Sequence, residues 1–126
     1  MNISFFETQR QVLAREKDVT RRIGWGWLVP ALAQGQRVTL QPIVKGQGLK
    51  KGERVVRLGG PIEVMAARIE PLHSLTGGTY TARMAKRECV REGFPEMSPR
   101  QFVEFFCQFN GCPPDQQVVR IEFRYL

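Results

Sequence analysis

SPRQFVEFFCQFNGCPPDQQVVRIEFRY, residues 98–125, reads as a helix followed by a strand and so decides the fold class. Ser98 supplies a helix cap, Pro99 fits the first turn, and Gln101 stands three residues after the cap. Phe102, Phe105, Phe106 and Phe109 then recur at three- and four-residue spacing, which makes one apolar stripe on a helix. The stripe is read as core, not as a cofactor box. Asn110-Gly111 ends the helix, and Cys112-Pro113-Pro114-Asp115 turns the chain. Val119, Ile121, Phe123 and Tyr125 then alternate with Arg120, Glu122 and Arg124, the pattern of a half-buried strand.

Working outward, Gln36 to Val44 and Glu53 to Leu58 are short β-branched runs bounded by glycine, and both are predicted strands. Pro61 to Ile69 is a longer one, in which Met65 disturbs the alternation; Gly59-Gly60 is a turn before it. A helix is predicted from about Thr81 to Arg91, stopping at Gly93 before Pro95. Near the start, a brief strand at Ile3–Phe6 precedes a short helix over Glu7 to Glu16. Short strands with helices inserted predict an α+β domain on a compact, curved sheet or small barrel.

The 126 residues suit one domain spanning 1–126, with no internal repeat or linker. The chain is 42% apolar and 25% charged, close to the globular average, which argues against a disordered protein. It has no apolar run long enough for a membrane span and no signal-peptide pattern at its start. The cysteine count is odd, so Cys89, Cys107 and Cys112 are expected as reduced thiols of a cytoplasmic protein. Their spacing, with His73 the only histidine, is wrong for a structural zinc site, and no metal is expected.

The net charge of +7 is unevenly spread. Residues 19–52 hold six bases (Arg21, Arg22, Arg37, Lys45, Lys50 and Lys51) and no acid. A local surplus of cations attracts polyanions such as nucleic acid; a merely solvated basic face is the alternative. Arg21 and Arg22 are suited to phosphate oxygens, and Trp25 and Trp27 offer flat faces for unpaired bases. Two indoles two apart on a strand would equally point together into the core. Lys45, Lys50 and Lys51 alternate with Gly46, Gly48 and Gly52, a flexible basic loop suited to backbone phosphates. It lacks the order of a Walker loop, and no nucleotide-triphosphate chemistry or cofactor is expected.

Four stretches, in order, resemble the ASCH family, the activating signal cointegrator homology domains of the PUA-like superfamily. They are Lys17-Asp18-Val19-Thr20-Arg21-Arg22 with Gly24-Trp25; Lys45-Gly46-Gln47-Gly48-Leu49-Lys50-Lys51-Gly52-Glu53; Glu70-Pro71-Leu72; and Arg91-Glu92-Gly93-Phe94-Pro95 with the Phe102–Phe106 helix and the final strand. The chain is especially similar to the bacterial and phage-encoded branch that carries the Gly-Leu-Lys-Lys-Gly-Glu block. The resemblance implies a PUA-like β-barrel with flanking helices and a cleft facing the Lys-x-x-Thr-x-Arg segment. It also implies RNA, single-stranded nucleic acid or a modified nucleoside as the partner.

Some small ASCH proteins are amidohydrolases that remove the acetyl group of N4-acetylcytidine with a Lys, a Thr three residues later and a distant Glu. The resemblance carries these roles onto Lys17, Thr20 and Glu92. Glu88, one helical turn earlier, shares the face and leaves the carboxylate open between the two. The same segment serves as well for an anion pocket, or for a salt bridge with a hydroxyl bonded to backbone. Ribonuclease chemistry, with Lys17, Arg22 and Glu92 as the acting groups, is a further enzymatic reading. An accessory module acting through protein contacts is the third class.

Overall fold

The computed structural model describes residues 1–126 and is an α+β fold on one five-stranded mixed sheet. Its strands are β1 (Asn2–Ser4), β2 (Val19–Arg22), β3 (Thr39–Ile43), β4 (Ile62–Pro71) and β5 (Gln117–Tyr125). They lie in the order β1-β3-β4-β5-β2, with β1 and β3 parallel and the other pairs antiparallel. Helices α1 (Gln9–Leu13), α2 (Leu28–Ala33), α3 (Ala82–Arg91) and α4 (Pro99–Asn110) join two 3-10 turns at Phe6–Thr8 and Leu72–Leu75. No helix is long and apolar enough to cross a membrane.

Strand β5 follows its alternation, but both of its faces are covered. Val119, Ile121 and Phe123 enter one core with Ile3, Phe5, Leu40 and Ile62. Val118 enters a second core, with Leu72, Ala85, Cys89, Phe102 and Phe106. Arg120, expected on a solvent face, is only 5% exposed because α3 covers that face and Glu88 receives its guanidinium. In β4 the pairing register shifts between Val64 and Ala66. Met65 is therefore the extra residue of a bulge, which is why the alternation falters there.

Helix α4 forms as its sequence directs. Ser98 Oγ accepts from Gln101 N at 3.1 Å, Gln101 Oε1 accepts from Ser98 N at 2.8 Å, and Gly111 closes the helix at φ 62°. Thr81 caps α3 by accepting from Met84 N. These two caps set the helices against the second core, with Glu88 of α3 and Glu92 just beyond it turned toward the sheet.

Two expectations of local structure are corrected. Glu53–Leu58 makes one isolated bridge, Ile43 to Arg57, and no strand. Leu58 N donates to Pro42 O at 2.9 Å, but Pro42 has no N–H to return, so a ladder cannot extend. Trp25 and Trp27 lie in the turn leading into α2, not on a strand. That helix was hidden by Pro30, which falls in its first turn, where a missing N–H costs nothing.

The closed barrel is not formed by backbone pairing. Strands β1 and β2 are the two edges of the sheet and share no ladder. β1 has three residues and leaves the sheet into the 3-10 turn at Phe6, so no length of strand remains to pair with β2. A side chain crosses the gap instead: Arg22 Nη2 donates to the Ser4 carbonyl at 2.5 Å.

Candidate functional site

The gap between the sheet edges holds a cavity of about 120 Å3. Ser4 at the end of β1 and the following Phe5–Thr8 border it; so do Lys17, just before β2, and Thr20–Arg22 within it; Glu92, Phe94 and α4 close it. Because β2 is an edge strand, residues from both of its faces reach this space. Thr20 and Arg22 stand opposite Ile121 and Val119 in the ladder, and Arg21 stands opposite Arg120.

Lys17 is fixed by what surrounds it. Its Nζ donates to Glu92 Oε1 at 3.0 Å and to the Glu92 carbonyl at 2.5 Å, and both side chains are buried. Gly93 makes the second bond possible by turning the chain at φ 98° directly after Glu92. The neighbouring Asp18 takes a two-point hydrogen bond from Arg91, 2.9 and 3.1 Å, which ties the start of β2 to the end of α3. Arg21 reaches Glu92 Oε2 at 3.0 Å, Glu88 Oε1 at 2.5 Å and Glu70 Oε2 at 3.5 Å. Arg22 donates from Nε to Thr20 Oγ1 at 3.0 Å, so the threonine hydroxyl keeps its own proton free to donate.

Burial pushes the Lys17 ammonium below its ordinary value, against the pull of Glu92 in the other direction. Burial also lowers Arg22, to about 10, which leaves it charged at neutral pH. For Arg21 burial again opposes the charge, but Glu92, Glu70 and Glu88 outweigh it and hold the group above its ordinary value.

No family model, curated protein or solved structure matches this chain. The chemistry of the cavity therefore carries the functional reading.

Of the residues singled out in the sequence, Lys17, Thr20, Arg21, Arg22 and Glu92 converge on this one cavity. Glu88 does not line it. Arg120 holds Glu88 at 2.5 and 3.0 Å, so Glu92 is the cavity carboxylate and Glu88 an anchor behind it. Arg21, read as facing phosphate, is instead buried and committed to three carboxylates. Trp25 and Trp27 stack on each other at 5.8 Å away from the cavity; Trp25 packs on the first core and Trp27 is 41% exposed. Lys45, Lys50 and Lys51 also lie off the cavity; Lys45 sits 3.7 Å from Glu53, and Lys50 and Lys51 are exposed.

The acid-free stretch is less one-sided in space than in sequence. Arg21, Arg37 and Lys45 each face a carboxylate from outside it: Glu92, Glu63 and Glu53. No group of three or more His, Cys, Asp or Glu side chains is placed to hold a metal, and His73 is exposed.

Sequence reasoning missed the aromatic wall. Seven of the eight phenylalanines, all but Phe123, line the cavity. The α4 stripe is two-sided: Phe102 and Phe106 are buried in the second core, while Phe105 and Phe109 stack at 5.9 Å and present their other sides. Phe109 is 57% exposed, and Phe6 across the cavity is exposed as well. The available signal was width: four phenylalanines in eight residues cover more of the helix than one core contact uses.

Proposed function

We propose that the protein is an ASCH-type, PUA-like domain that binds a nucleotide ligand in the cavity between β1 and β2. The ligand is either free or an unpaired base of single-stranded RNA, and the open sheet is read as a PUA-like barrel whose seam is left for it. The observation that carries this reading is the make-up of the cavity. Aromatic rings wall a space of about 120 Å3, and Lys17, Thr20, Arg22 and Glu92 lie together in it. Flat rings stack on phenylalanine whatever their sequence, at about 1–3 kcal/mol per base. Donors and acceptors in a small apolar space then select the edge of the ring. The basic loop with Lys50 and Lys51 stands off the cavity and suits the flanking phosphates of a longer strand.

Calorimetric titration with nucleosides, nucleotides and short single-stranded RNAs tests it. Binding that weakens about tenfold or more in Phe105→Ala and Phe109→Ala supports the reading. No binding by any of these ligands sinks it.

A second reading has its own support: the lowered Lys17 ammonium shares the cavity with Thr20 and Glu92. In amide hydrolysis the Thr20 oxygen would attack the acetyl carbonyl and pass its proton to a neutral Lys17. The amine would leave with that proton, and water would then release acetate from the threonine ester. Arg22, bonded to Thr20 Oγ1, would hold that oxygen in place and ease the loss of its proton. Turnover of N4-acetylcytidine by the native chain, lost in Thr20→Val and in Lys17→Ala, is the expected result; equal turnover in all three excludes this site.

A further inference from the structure

We propose that the ligand carries a phosphate, so that a nucleoside monophosphate binds in preference to the corresponding nucleoside, with Arg22 as its phosphate partner. The inference rests on the nucleotide reading above and names what that ligand must bear.

The charged side chains in and behind the cavity are unevenly paired. Lys17 is matched by Glu92; Arg21 by Glu92, Glu88 and Glu70; and Arg120 by Glu88 and Glu122. Arg22 alone has no carboxylate within ion-pair distance. Its two bonds go to neutral oxygens, Thr20 Oγ1 and the Ser4 carbonyl. Glu7 also borders the cavity, but it is exposed and pairs with no cation. Glu92 acts on Arg22 only from beyond ion-pair distance, and a half-buried charge with no carboxylate on it is suited to an incoming anion.

The donors agree with the charge. A guanidinium has five N–H bonds in a flat fork, and Arg22 commits only two of them to the protein. Its Nη1 has no protein partner and is not among the nitrogens sealed from solvent. A fork with free N–H groups fits phosphate oxygens at two points. Size points the same way. About 120 Å3 between phenylalanines holds one ring system and little more, so sugar and phosphate lie toward the rim, where Arg22 is half-buried.

The test titrates the full chain at low salt with the four common ribonucleosides, their 5′-monophosphates, and inorganic phosphate. The expected result is at least tenfold tighter binding of a monophosphate than of its nucleoside, with the advantage shrinking as salt rises. In Arg22→Gln that advantage disappears, so that monophosphate and nucleoside bind alike, and Arg22→Lys keeps part of it. Equal affinity for the two classes overturns the phosphate inference and leaves the nucleobase reading standing. An advantage that survives in Arg22→Gln overturns the role of Arg22. Should that variant lose its cooperative melting with the Ser4 contact, the native comparison and Arg22→Lys decide. Binding by neither class fails the nucleotide reading itself.

Discussion

Arg21 lays one arm of its guanidinium on Glu92 and the other on Glu88, so a single strand residue fixes two carboxylates one helical turn apart. The contact sets where Glu92 stands in the cavity, and through Glu92 it sets Lys17. Replacing Arg21 with Met leaves Glu88 and Glu92 short of a buried cation. The expected cost is about 3–5 kcal/mol, read as a lower urea midpoint. Arg21→Lys is expected to recover less than half of it, because one ammonium cannot serve both carboxylates as a fork does.

Acid should undo the same cluster. Burial alone would raise the Glu88 carboxyl, but hydrogen bonds from Arg120 and the charge of Arg21 prevail and hold it at about 2, against 4.5 for a free group. Its folded value lies below its unfolded one, so its contribution is complete above 4.5 and is lost as pH falls toward 2. The loss is on the order of 3 kcal/mol. Urea midpoints measured through that window should fall steeply, and Glu88→Gln should flatten the fall while lowering stability at neutral pH.

Phe109→Ala separates binding from folding. The ring is largely exposed and rests on Phe105, so its removal is expected to cost under about 1 kcal/mol of stability. A stacked ligand would lose about 1–3 kcal/mol, or roughly 5- to 150-fold in Kd. A thermal melt beside a titration makes the comparison. A large drop in stability with unchanged affinity would show that the ring is merely packing.

Gly93→Ala strikes the turn that aims the Glu92 carbonyl at Lys17. At φ 98° a side chain is strained, and its Cβ would lie 3.2 Å from Gln11 Cγ and 3.3 Å from Thr8 Cγ2. A destabilisation of about 2 kcal/mol or more is expected. Gly48→Ala, also at positive φ but with open space around it, should cost less, so the difference between the two reports the crowding.

Reversing Lys50 and Lys51 to Glu tests the basic loop apart from the cavity. Affinity for single-stranded RNA should fall alike for all sequences, and the salt dependence should become shallower. Affinity for a single nucleotide should be unchanged. Equal effects on both ligands would place the loop at the cavity mouth.

Local rules made α3, α4 and β5 legible: Thr81 and Ser98 cap, Gly93 and Gly111 stop, and the last strand alternates. Lys17, Thr20 and Glu92 were legible as a group only through the ordered resemblance, since 72 residues separate Thr20 from Glu92 and nothing local joins them. What stayed hidden depended on pairing across the chain. Arg21 and Arg22 are neighbours with the same side chain, yet strand geometry sends one among three carboxylates and the other to neutral oxygens. The charge surplus of residues 19–52 is partly offset in space, because Glu53 directly after the stretch and the more distant Glu63 and Glu92 reach Lys45, Arg37 and Arg21. Trp25 and Trp27 matched a strand period, but Gly24 at φ 83° and Gly26 turn the chain there before pairing can continue.

A closed ring of strands opens only by breaking several backbone bonds together. Here the seam hangs on one guanidinium, and β1 is otherwise held by its parallel neighbour β3 and by Ile3 and Phe5 in the first core. Opening that seam would expose Ile3 and Phe5 of the first core but leave the long β4–β5 pairing intact. Amide exchange at Ile3 and Phe5 becomes a gauge of occupancy: an anion seated on Arg22 either tightens that clasp or draws the arginine from it. The direction of the change will tell whether the N-terminal strand breathes with the ligand or against it.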